Sequence, residues 1–457
     1  MLIDNAPRVA CVTPLRRVAG RSITTIDGLT EQERTRWADA FLAHGASQCG
    51  FCTPGIVCRL VGHERKGADL GDRETVDRLL SAHLCRCTGW QTIKEAAAEV
   101  SVKYPQRDVE AATRQASLEA GTHQIVGPEV VLGEVTFGDD KPPDEALVAA
   151  RNNEQWAIGE TLHQARERAG KVQGRRTSLE STPPLDLPKG DWSLTLRTGW
   201  VEPAYLETDA SWCDPVGEPS NPTANGGAFG GKIDSDVSER AKFLARENGV
   251  PVRVLWSRED VVRYGSKRPP LAAGLRADGT GVVRVAKTPG VGQVIQSVLP
   301  DCDIEQIEIP GPPTSLALRG AGWAEAQMLR IGLRGQNDWV HAPSGARAQA
   351  EIGQGTIRIE VDSGTPLDWV MFRSYCIGAA HMAYSWVTSE SLSVDALGEV
   401  QDLTVRSFGV LRSSDTPHIE VVSVGEGEVL AAGEAVFAAV AAATWLNRGC
   451  PPDLPTG

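Results

Sequence analysis

Gln48-Cys49-Gly50-Phe51-Cys52-Thr53-Pro54-Gly55 and Cys85-Arg86-Cys87-Thr88-Gly89 decide how this chain is read. The first stretch holds a C-x2-C pair and the second a C-x-C pair, with residues 53–84 between them. Four thiolates so grouped suit a [2Fe–2S] cluster, because each iron takes two soft sulfur ligands from the protein. Spacing alone also leaves open a zinc ion held by the same four sulfurs. Either reading puts Cys49, Cys52, Cys85 and Cys87 at a metal centre, and the first speaks of electron transfer. Ten cysteines in 457 residues are too sparse for a disulfide scaffold. The clustering of four of them favours metal ligation in a reducing cytoplasm.

Working outward, the cysteines fall at the ends of expected helices. Thr30-Glu31-Gln32-Glu33 is a capping box, Trp37, Ala38, Phe41 and Leu42 follow at helical spacing, and Gly45 is a stop. Thr53 as N-cap with Pro54 at the first helical position opens a second helix. Asp72 caps a third, and Gln91 to about Val102 forms a fourth. Helix ends suit a cluster, since their unpaired backbone N–H groups can bond anionic sulfur. Residues 1–29 mix short β-like runs (Arg8–Val12, Ser22–Ile26) with turns.

Residues 103–145 read as a polar linker with one strand at Glu129–Val135. Thr161–Ala169 is an expected helix, and Ser178–Lys189 a Pro-rich extended segment. From about 192 strands and helices alternate. A helix at 236–247 leads into strand Pro251–Trp256, strands follow at 355–362, 369–375, 390–395 and 402–408, and Ala431–Leu446 is an Ala-rich core helix. The fold class is α+β multidomain: a small four-helix unit followed by a mixed α/β unit. A net charge of −13 argues against nucleic acid or a membrane surface as partner. No apolar run approaches a membrane span and no signal peptide opens the chain, so a cytoplasmic protein is expected.

Gly226-Gly227-Ala228-Phe229-Gly230-Gly231-Lys232 is a second signature. It is nearly a P-loop, but Ile233 stands where Ser or Thr would hold magnesium. Its other readings are a tight glycine turn, or a backbone brought close to an anionic cofactor. His44, His63, His83 and His381 lack partners at ligand spacing and read as surface or helix-end residues. Cys58, Cys213, Cys302, Cys376 and Cys450 read as packing.

The two cysteine stretches closely resemble the all-helical [2Fe–2S] domain of the xanthine oxidase/aldehyde oxidase family of molybdenum hydroxylases, over about residues 30–100. The resemblance implies a cluster on Cys49, Cys52, Cys85 and Cys87, with Gln48 and Cys87 against a molybdopterin. Asp4–Cys11 with Thr13-Pro14-Leu15 resembles the tail of the family's preceding ferredoxin domain. The C-x4-C-x2-C group of that domain is not in this sequence, so Cys11 reads either as a buried thiol or as the remnant of a cluster whose other ligands lie upstream of an internal start.

The glycine loop resembles the GG-x-FGGK loop of the family's molybdopterin subunit. Further likenesses follow in order: Val201–Glu207, Pro251-Val252-Arg253 with Ser257–Asp260, Arg319-Gly320-Ala321-Gly322, Gly353-Gln354-Gly355 and Val424-Gly425-Glu426. They imply Glu426 as general base, Arg319 stabilising charge on the substrate, Gly227, Ala228, Phe229 and Gly230 beside the metal's ligands, and Gln354 and Gly355 near the pterin.

The domains implied are a ferredoxin remnant (1–29), a helical [2Fe–2S] domain (30–102), a linker with a shortened first molybdopterin-subunit region (103–191) and a molybdopterin-binding domain (192–457). The implied function is hydroxylation of a small-molecule aldehyde or N-heterocycle with water. The implied cofactors are a [2Fe–2S] cluster and molybdenum-molybdopterin, as such or as a dinucleotide. No flavin domain is legible, so an FAD-binding subunit or another acceptor is the expected partner, and a homo-oligomer is compatible with the sequence. The rival reading is a non-catalytic electron-transfer or assembly subunit with a vestigial molybdopterin half.

Overall fold

The computed structural model describes residues 1–153, 155–171, 177–223 and 225–457. At the start, β1 (Leu2–Ile3) pairs antiparallel with β2 (Ala6–Pro7) and β3 (Ile23–Thr24). The run Arg8–Val12 is not a strand and closes in a short 3-10 turn at Ala10–Val12.

Four helices then form the expected unit: α1 (Glu31–His44), α2 (Thr53–Glu64), α3 (Arg73–Leu80) and α4 (Gln91–Ala98). The Thr30 capping box is formed, with the Glu33 N–H donating to Thr30 Oγ1 (3.2 Å) and the Thr30 N–H to Glu33 Oε2 (3.0 Å). Gly45 ends α1 at φ 61°. Helix α2 begins one residue earlier than read, with Cys52 at the cap and Pro54 inside the first turn, and α4 stops at Ala98 rather than near Val102. Trp37, Phe41, Ile56, Leu60, Leu80 and Trp90 make the core of this unit.

Residues 103–145 carry two helices in place of a linker with a strand. Asp108 caps α5 (Val109–Ala120), and Pro128 opens the five-residue α6 (Pro128–Leu132), which Gly133 ends at φ 75°. The Glu129–Val135 run is apolar because Val130, Val131 and Leu132 are buried, the last two in the core of the four-helix unit, and not because it belongs to a sheet.

The described residues of the rest of the chain build three sheets. β5 (Gln155–Gly159), β4 (Leu147–Asn152), β8 (Val252–Leu255) and β7 (Ala210–Cys213) form the first, flanked by α7 (Leu162–Arg168), α8 (Val237–Asn248) and α9 (Arg258–Tyr264). The second runs β11 (Cys302–Ile307), β10 (Gly281–Ala286), β9 (Leu271–Leu275), β6 (Leu194–Thr198), β16 (Asp453–Leu454). The third runs β12 (Val340–His341), β13 (Arg347–Ile352), β14 (Thr356–Asp362), β15 (His418–Ser423). The largest core joins both of these sheets to α11 (Trp323–Arg334), α12 (Trp369–Thr388) and α13 (Gly433–Asn447), with α10 (Val291–Gln296) at its edge. Helix α13 is apolar all round because it is buried all round. Among the described residues no helix is long and apolar enough to cross a membrane.

Three expected strands are absent. Residues 369–375 open the 20-residue α12, whose N-cap is Asp368 accepting from the Met371 N–H (2.7 Å). Residues 390–395 and 402–408 hold one isolated bridge (Val394 with Val400) and a 3-10 turn at Val405–Ser407. Their apolar residues Leu392, Val400, Leu403 and Phe408 form a small core with Trp200 instead.

Helix α12 seats the four-helix unit on the larger one. An ideal Cβ on Gly378 would lie 1.9 Å from the Cys87 carbonyl oxygen, so only glycine admits this approach. Arg86, between the two cysteines of the C-x-C, is buried. It donates to both carboxylate oxygens of buried Glu390 (2.5 and 2.8 Å) and to Pro203 O (3.0 Å). The Gln91 side chain pairs with the Ile419 backbone on β15 in both directions (3.0 and 2.8 Å). Arg373 forks onto Glu95 (2.8 and 2.6 Å). Glu390→Ala leaves the Arg86 charge buried without a partner, and should cost about 3–5 kcal/mol in denaturant unfolding. An unchanged midpoint would show that this pair does not anchor the two units.

Candidate functional site: a paired-thiol centre beside a glycine loop

The four cysteines meet two by two. Cys49 Sγ lies 3.4 Å from Cys87 Sγ, and Cys52 is the hydrogen-bond partner of Cys85. Among the described residues no three His, Cys, Asp or Glu side chains converge as one metal ion would require. Two pairs suit the two irons of a [2Fe–2S] cluster, whereas zinc needs all four ligands around one point. The Cys85 sulfur receives the backbone N–H groups of Cys87 and Thr88, and Thr88 Oγ1 lies 3.1 Å away. Such donors stabilise anionic sulfur. Cys11 is exposed and unpaired with any other cysteine.

The glycine loop of the larger unit lies directly on one thiol pair. Gly227 has φ 81°, and a Cβ there would sit 2.9 Å from Cys49 Cβ, 3.0 Å from its Sγ and 3.5 Å from Cys87 Sγ. Phe229 and Gly230 also take positive φ (51° and 90°). The result is a cavity of about 210 Å³ lined by Gln48, Cys49, Cys87, Gly227, Ala228, Phe229 and Gly230, together with Tyr375 and the turn after α5. The Gln48 amide is fixed by donating to Ser374 O (3.1 Å) and Ser374 Oγ (3.0 Å). Lys232 is not a phosphate ligand: its buried ammonium donates to Glu207 Oε2 (2.6 Å) and Pro222 O (2.9 Å). No helix follows it directly, and the P-loop reading falls.

Arg319 packs against the glycine loop. Its guanidinium lies over the Phe229 ring at 4.9 Å, behind the loop, and the Arg319 backbone N–H donates to Phe229 O (3.3 Å). Burial pulls it below the ordinary arginine range, against the carboxylates of Glu119 and Glu434. Gln354, Gly355 and Glu426 are exposed and do not line the cavity. Gln354 and Gly355 form the β13–β14 turn, tied to β15 by the His418 N–H donating to Gly355 O (2.9 Å). Glu426 lies in the loop after β15, held at the end of the third sheet where Gly425 packs on Asp362 and Gly364.

Two features escape the sequence reading. Tyr375 lines the cavity from the first half of α12, in a stretch read as a strand. Glu119 is buried at the end of α5, in the supposed linker. It accepts from the Ala432 and Gly433 N–H groups at the start of α13 (3.0 and 3.2 Å) and from Gln115 Nε2 (3.2 Å). The Asp108 cap and the Gly121 stop were the signals for α5. His381, read as a surface residue, is fully buried on α12, where burial pushes its imidazole down to about 3 and keeps it neutral.

Gly227→Ala should displace the loop from the sulfurs and change the iron content or the electron paramagnetic spectrum of the reduced cluster. A wild-type spectrum and iron content would refute the contact. Burial raises the Glu119 carboxyl to about 7, so between about pH 4.5 and 7 the folded chain holds a proton that the unfolded chain releases. That contribution, on the order of 3 kcal/mol, is complete at low pH and is lost as pH rises through 7. Glu119→Gln should flatten this part of the stability profile, measured by denaturant unfolding at several pH values.

Residues 25–98 match the family described as [2Fe-2S] binding domain. A probable xanthine dehydrogenase subunit of Bacillus subtilis is 38% identical over 100 residues, 22% of this chain and 57% of the relative. The nicotine 6-hydroxylase small subunit of Paenarthrobacter nicotinovorans is 40% identical over 97 residues, 21% of this chain and 58% of the relative. The matches thus span less than two thirds of these relatives. In fold, the chain is similar to the aldehyde oxidoreductase from Desulfovibrio gigas, with a TM-score of 0.68 at 12% identity over 97% of this chain and 91% of that one. With its cysteines paired as a two-iron centre requires, the chain carries a [2Fe-2S] binding domain over residues 25–98, and along nearly its whole length its fold is similar to that of an aldehyde oxidoreductase.

Proposed function

We propose that the chain is a fused iron–sulfur and molybdopterin subunit that hydroxylates a small aldehyde or N-heterocycle with water and passes the electrons to a partner. A division into a helical iron–sulfur unit (30–102) and a molybdopterin unit (192–457), joined by 103–191, goes with this reading. The observation that carries it is the Gly227 backbone against the Cys49 and Cys87 sulfurs, in one cavity with Gln48 and Phe229. A cofactor bound in that cavity would lie next to the cluster ligands.

The groups present fit such a cofactor. Gln48, held at its NH2 end by Ser374, leaves its carbonyl oxygen uncommitted among the described residues. The loop at Phe229 and Gly230, both at positive φ, lines the cavity. When bound, molybdenum with its pterin dithiolene would supply the two-electron chemistry, and the protein would owe it no metal ligand. Cys49 and Cys52 with Cys85 and Cys87 would hold the [2Fe–2S] cluster. Arg319 would place positive charge behind Phe229, toward charge developing on the substrate. Glu426 is proposed as the base, which requires the loop after β15 to reach the cavity when the cofactor is in place. An FAD-binding subunit or another electron acceptor is the proposed partner, and the cytoplasm the proposed setting.

The rival reading, an electron-transfer or assembly subunit without catalysis, is favoured by the position of Glu426, Gln354 and Gly355 outside the cavity. Metal analysis of the purified protein separates the two. The hydroxylase reading expects about two irons per chain together with molybdenum; iron without molybdenum would leave only the rival. In the hydroxylase, Glu426→Gln should lower turnover by about 100-fold or more while the cluster absorbance stays intact. Undiminished turnover would remove Glu426 as base.

A further inference from the structure

A cavity of about 510 Å³ lies on the other side of the cysteine loop and has no part in the site above. Its size is that of pockets that take small aromatic ligands. Phe51, the residue between Cys49 and Cys52, forms one wall and meets Phe137 edge to face at 5.3 Å. Trp256 forms another. Phe51, Phe137 and Glu207 also line the gap next to Cys49, Cys52 and Cys87. Phe51 and Phe137 therefore border both the cavity and the gap beside the cysteine sulfurs.

The cavity wall carries both signs of charge, most of them paired. Asp139 is paired with Arg253, Glu207 with Lys232 and Asp260 with Lys171. Asp140 accepts from the Phe137 N–H (2.8 Å). Arg166, exposed on α7, has no carboxylate partner among the described residues. Arg258 spends its Nη2 on Tyr205 O and Leu206 O (both 2.8 Å), while its buried Nη1 has no hydrogen-bond partner. The buried Arg258 also faces the carboxylates of Glu202 and Asp209, so the free guanidinium is that of exposed Arg166, which with the aromatic walls suits a flat aromatic ligand that carries anionic oxygen.

We propose that this cavity binds a soluble aromatic two-electron acceptor with an anionic substituent, a quinone or a free flavin, and is the point at which electrons leave the chain. The inference rests on the [2Fe–2S] reading and not on the molybdenum site. Each acceptor molecule takes two electrons, one from each of two successive oxidations of the reduced cluster, and two protons from water. It leaves as the dihydro form, hydroquinone or reduced flavin.

The test uses the full chain with its cluster. Calorimetric titration of the oxidised protein with 1,2-naphthoquinone-4-sulfonate, and separately with FMN, should give one site per chain for at least one of them, which identifies the source. After reduction by dithionite and removal of the excess, stopped-flow reoxidation by that acceptor should saturate with its concentration. Arg166→Glu and Leu162→Trp, both at exposed positions on α7 that line the cavity, should each weaken binding and slow reoxidation by about tenfold or more. Reoxidation by the cationic outer-sphere oxidant cobalt(III) tris(phenanthroline) should stay at the wild-type rate, which reports an intact cluster. Linear, non-saturating reoxidation by both acceptors, or equal rates in both variants, overturns the proposal. Absence of iron would remove the cluster reading yet leave the titration legible.

Discussion

The buried fork between Arg86 and Glu390 is the contact on which the arrangement of the two units depends. Its cost is set by desolvation: two charges leave water, and only their close bidentate geometry and the Pro203 carbonyl offset that loss. Its return is positional. Arg86 sits between Cys85 and Cys87, so fixing its guanidinium fixes the backbone that aims both sulfurs. The glycine at 378 then lets α12 press on the Cys87 carbonyl, and Ser374, one turn earlier on the same helix, orients Gln48. One helix of the larger unit thus sets the geometry of a centre whose ligands all lie in the smaller one.

The helical unit was legible because its signals are local. A capping box at Thr30, a proline in the first turn of α2, Asp72 and the spacing of four cysteines each act over a few residues. The larger unit was legible where one element is uniform, as in Ala-rich α13, and illegible where burial is imposed from elsewhere. Trp369–Tyr375 carries residues that favour strands, but it continues into a helix whose small residues are chosen for contact with Cys87, more than 280 positions away. Val130–Leu132 is apolar for the sake of the α1 and α2 core. Asp108, Asp368 and the Gly-Pro at 127–128 were the local signs of the missed helices.

The site divides in the same way. Gln48, Gly227, Ala228, Phe229 and Gly230 line one cavity with Cys49 and Cys87. Arg319 lies one layer behind them. Gln354, Gly355 and Glu426 stand apart on turns at the edge of the third sheet, and the family likeness at those positions is short. Glu119 shows why sequence alone misses such groups. A glutamate near the end of an exposed-looking helix gives no hint that it crosses the molecule to cap α13, where its oxygens replace water for two backbone N–H groups that no helix turn can satisfy.

The order in which the chain is made gives the seat on α12 a further meaning. The four cysteines lie within the first 87 residues, while Glu390 and Ile419 lie some 300 residues later. At roughly 5–20 residues per second, residues 103–390 take on the order of 15–60 s to emerge. During that interval the helical unit can fold with its cysteine face open, before Gly227 and then α12 close over it. Synthesis therefore leaves a timed opening for delivery of iron and sulfide. A cluster that arrives later must first part the Arg86–Glu390 fork and the Gln91–Ile419 pairing, which makes loading a matter of timing as much as of affinity.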